Sequence, residues 1–460
     1  MQYRELVSYA HRRSPDIVVD GTDPGAEYPD LIAAHRRTVE LMRERVPIAD
    51  GWFVSNDCAA LIPILAPTSG TDGWDLEFIH PAARTKARHI QEAAFARACL
   101  ASAGVRVENV RLLSVNRNYI RKISVDVSEL FLVEDISLLT ARMLESVEAT
   151  TNELRAALDS PTETLPLCHR PAGCSACRPA LPELPKHNLF TLYHGTDLSQ
   201  ELFRERVIDL RDLPTNISLS ERQKIQLQAV RSGEPQIDVP GLERFLANIL
   251  YPLSFLDFET YSVSVPPFPG MRPWQHVPFL YSLHLQESEA ADAIRAGHME
   301  PAGKDGRREL LESLIESIYS TGSVVVFGSN FERSMLNSLA EAFPEYRAAV
   351  DTITPRIVDL SVPFQSFLYY HPDQLGRMSL KSILPALTGF GYENLMFSDG
   401  LEASVAYYLS SHGAAAKTTD SPAVGAEREL IRRSLSEYCA MDTGGLVSIL
   451  RVLQDAVRTK

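Results

Sequence analysis

Long apolar runs are missing from this chain of 460 residues. No stretch reaches the 18 or so consecutive apolar residues that a membrane-spanning helix needs, so no membrane association is expected. The opening segment, MQYRELVSYAHRRSPDIVV, lacks the apolar core and cleavage site of a secretory signal, and a cytoplasmic location is the expectation. A basic surplus is missing too: 45 Lys and Arg stand against 59 Asp and Glu, a formal net charge of -14. Proteins that coat nucleic acid through a broad basic face have the opposite balance. An enzyme whose carboxylates hold cations is not excluded, because the bound ions offset the acids locally. Internal repeats and low-complexity tracts are absent.

What is present reads as soluble, globular and α/β, with 45% hydrophobic and 23% charged residues and length for two or three domains. Residues 1–185 form a first block. LIAAHRRTVELMRER (31–45) has helical spacing, CAALIPILA and GWDLEFIH read as two strands parted by a turn-rich PTSGTDG, and RTKARHIQEAAFARACLASAG reads as a helix closed by Gly104. VRVENVRLLSV follows as one long strand or a pair. Residues 186–250 read as a helical connector, in which SLSERQKIQLQAVRSG (218–233) has a serine start and a glycine stop. The second α/β block, 251–460, alternates the strands PLSFLDFET, FLYSLHLQ and SVVVFGS with the helices GRRELLESLIESIYSTG and NFERSMLNSLAEAFP. It closes with one or two long helices over 426–459. AAAKTTDSPAVG (414–425) reads as a mobile loop.

FLDFET (255–260) puts Asp257 and Glu259 two apart in an otherwise apolar strand. Residues i and i+2 share a face, so the two carboxylates stand side by side. Two buried acids repel unless a cation lies between them, and hard ions such as Mg²⁺ and Mn²⁺ favour oxygen ligands. Alone, this pair is as compatible with an unusual edge strand. A third acid, Glu332, falls in the first turn of the helix after SVVVFGS, where a helix-dipole role is the plain alternative. Tyr438 and Asp442 lie four apart in a late helix and therefore on one face.

This ordered series resembles the DEDD superfamily of exonucleases on the RNase H-like, DnaQ-type fold. LDFET resembles the first motif, NFERSML the second, and YCAMD the third in its tyrosine version. PFLYSLH, RIVDLSVPF, GRMSLKSILPAL and YENLMFSDGLEA extend the likeness to a bacterial family of two-part proteins. In that family a RecB-like nuclease module with a cysteine cluster precedes a DnaQ-like module. The resemblance implies a 3′–5′ exonuclease with a mixed-sheet RNase H-like domain over 251–460 and two Mg²⁺ or Mn²⁺ ions. Its catalytic set would be Asp257, Glu259, Glu332, Tyr438 and Asp442. Asp257 would bridge both ions, Glu259 and Asp442 would complete the first site, and Tyr438 would orient the attacking water. Glu332 stands where the superfamily usually has Asp and is read as a variant. Asp359 and His284 are expected just behind the metal-binding acids, and Ser379 and Lys381 at the substrate phosphates.

Cys168, Cys174 and Cys177 have the spacing C-x5-C-x2-C, which in a cytoplasmic protein points to metal rather than disulfides. The resemblance implies an iron–sulfur cluster of the 4Fe–4S type. Zinc is the alternative, with His169 or His187 as fourth ligand. A RecB-like, restriction-endonuclease-like domain over 1–185 would also carry Asp on one strand and Glu-x-Lys on the next. Here Pro63 stands near the Asp position. Glu77 is kept, Ile79 and His80 stand where Lys is expected, and Ala96 replaces a helical Gln. This domain is therefore expected to be catalytically inactive and to guide substrate, with Arg117, Tyr119, Arg121 and Lys122 contacting nucleic acid by charge and stacking. The expected substrate is DNA or RNA. The rival expectation is a non-catalytic nucleic-acid-binding or scaffold protein in repair or phage defence.

Overall fold

The computed structural model describes residues 2–14, 16–20, 30–55, 58–159, 171–175, 177–301, 303–412 and 422–458. It is a mixed α/β protein of two compact units. The first comprises Met1–Leu165 with Ser262–Gln275, the second Pro166–Tyr261 with His276–Lys460.

In the first unit, β1 (Val18–Val19), β2 (Ile48–Ser55), β3 (Cys58–Pro67), β4 (Trp74–His80), β5 (Val107–Val115) and β6 (Phe131–Asp135) form one sheet in sequential order. β2, β3 and β4 make an antiparallel meander. β5 runs parallel to β4, which requires a crossover, and the helix Ala87–Ser102 supplies it. Side chains alternate across β4. Trp74, Leu76 and Phe78 pack with Ala93, Ala96 and Leu100 of that helix. Ile79 faces the other way, with Leu6, Val7 and Ala10 of the helix Gln2–His11. Burial on both faces explains why β4 and β5 read as strands at once. β2 was hidden because Asp50, in the left-handed region at φ 55, and Gly51 interrupt its pattern. Gly51 allows the helix Leu31–Met42 to approach: a Cβ there would stand 3.1 Å from the Thr38 methyl.

The second unit opens with short helices, among them Thr196–Arg204, Glu221–Ser232 and Val239–Leu246. Ser220 caps Glu221–Ser232 and Gly233 ends it at φ 73, as serine and glycine at those places imply. β7 (Gln236–Ile237) precedes the main strands β8 (Leu253–Tyr261), β9 (Val277–Gln286), β10 (Ile294–Met299), β11 (Val324–Val326) and β12 (Ile357–Asp359). β13 (Tyr369–Tyr370) pairs back with β7. The five-stranded sheet has the order β10-β9-β8-β11-β12. β9 is antiparallel to both its neighbours, and β11 and β12 run parallel to β8.

β8 is thus the central strand. One of its faces, Leu256 and Phe258, packs with Leu310, Leu311 and Leu314 of the helix Arg307–Ser317 and with Met335, Leu336 and Leu339 of the helix Ser329–Ala342. The opposite face, carrying Asp257 and Glu259, lies under the helices Gly400–His412 and Pro422–Arg458. The latter is one unbroken helix of 37 residues. Its Gly445 lets the helix Leu380–Thr388 pack closely: a Cβ there would stand 2.8 Å from a Leu384 methyl, which would have to shift. Among the described residues no helix is long and apolar enough to cross a membrane.

Leu256→Ala removes a fully buried side chain from the middle of this core. It should lower the unfolding free energy of the second unit by about 2–5 kcal/mol. Ile123→Ala, at a residue 90% exposed, should stay within about 0.5 kcal/mol. Urea unfolding of the two variants checks the contrast.

Candidate metal centre

Three separate elements bring four carboxylates together around Asp257, whose carboxyl feels the charge of the other three. Asp257 and Glu259 come from the strand itself, where they face Ser282 and Leu280 of β9 in register. Asp442 comes from the long helix Pro422–Arg458, in which Leu435, Tyr438, Cys439, Asp442, Thr443, Leu446 and Ile449 are all buried. That is the 3–4 spacing of a core-facing stripe, and Asp442 occupies a core position in it. Glu332 comes from the first turn of Ser329–Ala342, which follows β11 beside β8. Glu259, Glu332 and Asp442 are only 7%, 2% and 7% exposed, and Asp257 is half-buried.

Glu332 is set in place by a specific turn. Gly328 precedes its helix at φ 96, a conformation that favours glycine. Asp359, at the end of β12, accepts hydrogen bonds from the Gly328 amide at 2.9 Å and the Ser329 amide at 2.8 Å. It also accepts from the amide and hydroxyl of Ser361, at 2.9 and 2.6 Å. Burial raises the pKa of Asp359, but the hydrogen bonds from Ser361, Ser329 and Gly328 outweigh it and leave the carboxyl below its ordinary value. Asp359 therefore fastens the turn that delivers Glu332, and its charge also helps raise the Glu332 carboxyl.

Among the described residues, none of the four acids is paired with a lysine or arginine, and Oε2 of Glu332 is buried without a hydrogen-bond partner. The first unit supplies a contrast. Asp75 and Glu77 form the same D-x-E pattern on β4, yet Arg111 meets both, at 3.1 and 3.6 Å, and Arg13 meets Glu77 at 2.9 Å. Asp75 also accepts hydrogen bonds from Thr68 and Asn109. There guanidinium groups neutralise the pair; at β8 no lysine or arginine among the described residues forms an ion pair with it, and Lys381 only opposes the rise of Glu259.

The electrostatic consequence is large. Burial, then the charges of Asp442, Glu259 and Glu332, pushes Asp257 well above the usual carboxylate range. Burial and Asp442 push Glu259 up to about 8, with Lys381 opposing. Glu332 is raised to about 8, mainly by burial. Asp442 is raised to about 6 by burial, against a hydrogen bond from Tyr392 and the charge of Lys381. Hard divalent ions suit such a set. The unpartnered Glu332 oxygen and the unneutralised Asp257–Glu259 pair fit such an ion.

Around the acids sits a rim of tyrosines and one lysine. The Tyr392 hydroxyl donates to Oδ1 of Asp442. Tyr438 is buried, and its phenol is held protonated by burial and by Asp442, Glu259 and Asp257. Lys381 Nζ lies 5.0 Å from the Tyr438 ring centre and 5.5 Å from that of Tyr392, and donates to the Ser398 carbonyl at 2.6 Å. Gly400 lines the same space: a Cβ on it would be in ordinary contact, 3.9 Å from Glu259 Oε2 and 4.0 Å from the Tyr438 hydroxyl. His284 is tied at 2.8 Å to Thr443, which is itself 2.8 Å from Ser282. Its ring supports the helix next to Asp442. Ser379 is exposed at the helix start, its hydroxyl 3.0 Å from that of Ser382.

Cys439, Tyr392, Thr443 and Gly400 were not read as site residues. A signal existed for Cys439 and Thr443: both lie in the same apolar stripe as Asp442. None existed for Tyr392, which reaches Asp442 across 50 positions of sequence.

Elsewhere, the segment 114–122 does not present an interleaved basic and aromatic face. Tyr119 is 3% exposed, packs in the core, and accepts the Asp126 amide at 2.9 Å. Its ring is therefore not available for stacking. Arg121 donates to the carbonyls of Pro266 and Pro267, at 2.8 and 2.6 Å. Arg117 and Lys122 are exposed, Lys122 3.5 Å from Glu129. His80 lies on the face of β4 opposite Glu77, 3.3 Å from Glu92, and Ile79 is buried beside helix Gln2–His11. Cys174 and Cys177 flank a tight turn, with the Arg178 amide bonding to the Cys174 carbonyl at 2.9 Å. Cys168 and His169 lie outside the described residues. His187 stands 3.9 Å from Asp373.

Residues 254–379 match a family described as Domain of unknown function (DUF2779), a stretch that includes Asp257, Glu259, Glu332 and Asp359 but stops short of Asp442. No curated protein and no solved structure matches the chain.

The raised carboxyls give stability a sign with pH. Below the ordinary value of 4.5, Glu259 and Glu332 are protonated folded or unfolded. Between 4.5 and about 8 only the unfolded chain releases the protons, so stability should fall as pH rises through that window. An ion held by the acids should restore it, and more so at the upper end. Thermal unfolding in EDTA and in Mn²⁺ across the window checks this, and Glu259→Gln should flatten the EDTA slope. An identical slope in that variant would count against the assignment.

Proposed function

We propose that the second unit is a divalent-metal-dependent exonuclease that hydrolyses phosphodiester bonds from the 3′ end of DNA or RNA. The observation that carries this reading is the convergence of Asp257, Glu259, Glu332 and Asp442, none of them ion-paired with a lysine or arginine among the described residues. The strand order β10-β9-β8-β11-β12, with β9 antiparallel, supports an RNase H-like sheet. The positions of the acids, on the central strand, on the helix after its parallel neighbour and on the last helix, support the DEDD arrangement.

Asp257, Glu259 and Asp442 would hold two Mg²⁺ or Mn²⁺ ions, which when bound supply a water nucleophile at neutral pH and offset charge on the leaving oxygen. The residues do the rest. Tyr438, buried and held protonated by burial and the charges of Asp442, Glu259 and Asp257, offers a hydroxyl donor to orient the attacking water. Tyr392 holds Asp442 in one rotamer by its hydrogen bond. Lys381, between two tyrosine rings, supplies the positive charge nearest the site and suits a substrate phosphate. Asp359 keeps Glu332 in position through the Gly328 turn.

In the same reading the first unit is a RecB-like domain whose own chemistry is lost. Where a cation would be wanted, Arg13 and Arg111 already neutralise Glu77 and Asp75. Its role is then to bind or guide nucleic acid, with Arg117 and Lys122 as the exposed bases of the segment 114–122. The cysteine turn at 174–177 would contribute to an iron–sulfur or zinc site with Cys168.

Incubation with 3′- or 5′-labelled single- and double-stranded DNA and RNA, in Mn²⁺, Mg²⁺ or EDTA, tests the assignment. Activity should require metal, and Asp257→Ala should reduce it by about 100-fold or more, the scale of removing one positioned catalytic group. Glu77→Gln should leave it unchanged. Activity that survives Asp257→Ala would place the chemistry elsewhere. Binding without cleavage of any substrate would favour the scaffold reading.

A further inference from the structure

One group in the metal centre is out of keeping with a site for hard ions. Cys439, on the turn of helix between Tyr438 and Asp442, is fully buried. Its Sγ lies 3.4 Å from Oδ2 of Asp257 and 3.9 Å from the Asp257 carbonyl. Ligand atoms of Asp257, Glu259 and Cys439 all fall within 4.8 Å of one another. Mg²⁺ has no use for sulfur: it takes oxygen ligands in near-ideal octahedral geometry. Softer divalent ions do use it. Zinc–sulfur and zinc–oxygen bonds of about 2.3 and 2.1 Å set the two ligand atoms about 3.6 Å apart at the tetrahedral angle. The observed sulfur–oxygen separation is close to that value. A second feature stands within electrostatic reach of Asp257: Oε2 of Glu332 is buried without a partner, on a residue 2% exposed whose charge raises the Asp257 pKa.

We propose that Cys439 is a metal ligand, and that the position it forms with Asp257 and Glu259 selects a thiophilic divalent ion such as Zn²⁺, Co²⁺ or Cd²⁺ over Mg²⁺. This rests on the metal-centre reading of the four acids but goes beyond it. Binding of such an ion releases the thiol proton to solvent and leaves a thiolate on the metal. Mg²⁺ engages the carboxylates alone. The plain alternative is a buried thiol that acts as a small apolar side chain with a weak S–H bond to Asp257.

Titration of the full chain with Co²⁺, followed by sulfur-to-metal charge-transfer absorption in the near ultraviolet, tests the inference. Any contribution from Cys168, Cys174 and Cys177 persists in all variants. The component due to Cys439 should be lost in both Cys439→Ser and Asp257→Ala, each checked for fold by circular dichroism. Cadmium NMR on the unaltered protein removes dependence on the variants. One thiolate ligand moves the cadmium resonance far from the all-oxygen range, so a resonance in the mixed sulfur–oxygen range, displaced by competing Zn²⁺ and not by Mg²⁺, supports the proposal. Cd²⁺ bound with an all-oxygen resonance, together with a Co²⁺ spectrum unchanged in Cys439→Ser, overturns the thiol ligand and leaves the carboxylate centre standing. No divalent ion bound at the acids overturns both.

Discussion

Four carboxylates gathered in a largely buried space, with no lysine or arginine ion-paired to them among the described residues, are the constraint around which the second unit is organised. Every element near them can be read as answering the question of how such a concentration of charge is held together. β8 supplies two acids because it is central and its pleat must send Asp257 and Glu259 to the same face. The helix Pro422–Arg458 supplies a third at a position its own periodicity reserves for the core. The β11 turn, fixed by Gly328 and by the four hydrogen bonds that Asp359 accepts, supplies the fourth. Burial, with Asp442 acting on Glu259 and Asp359 on Glu332, raises both glutamates to about 8.

The two units make the point by comparison. Each carries a D-x-E pattern on a central strand. On β4 the pattern is closed by Arg13 and Arg111 and becomes a structural ion-pair network. On β8 the partners are Tyr392, Tyr438 and Cys439, none of which carries a positive charge, and Lys381 stands off above the tyrosine rings. The same dipeptide spacing therefore leads to opposite electrostatic outcomes. The difference lies in what the neighbouring strands and helices bring to it, which a local motif cannot report.

Much of the architecture was legible in the chain. The apolar runs of β3, β4, β5, β8, β9 and β11 announce strands because both faces of each are covered. The helix Glu221–Ser232 announces its ends through Ser220 and Gly233. β2 and β6 were missed for physical reasons. Asp50 and Gly51 interrupt the first where a helix comes close, and the second is an edge strand whose outer residues are exposed. The basic segment 114–122 misled in a different way. Tyr119 and Arg121 look like a binding pair by composition, but the core takes the ring and two proline carbonyls take the guanidinium.

Sequence alone determined that Asp257 and Glu259 share a face, that Tyr438 and Asp442 stack one helical turn apart, and that Glu332 opens a helix. Each of these is a local consequence of strand or helix geometry. Only the tertiary structure decided that these three elements come together, that no arginine or lysine among the described residues is ion-paired with their acids, and that Cys439, Tyr392 and Thr443 complete the surroundings. Those facts depend on contacts between residues far apart in the chain, such as Tyr392 with Asp442 and Cys439 with Asp257, where packing rather than local spacing selects the neighbour.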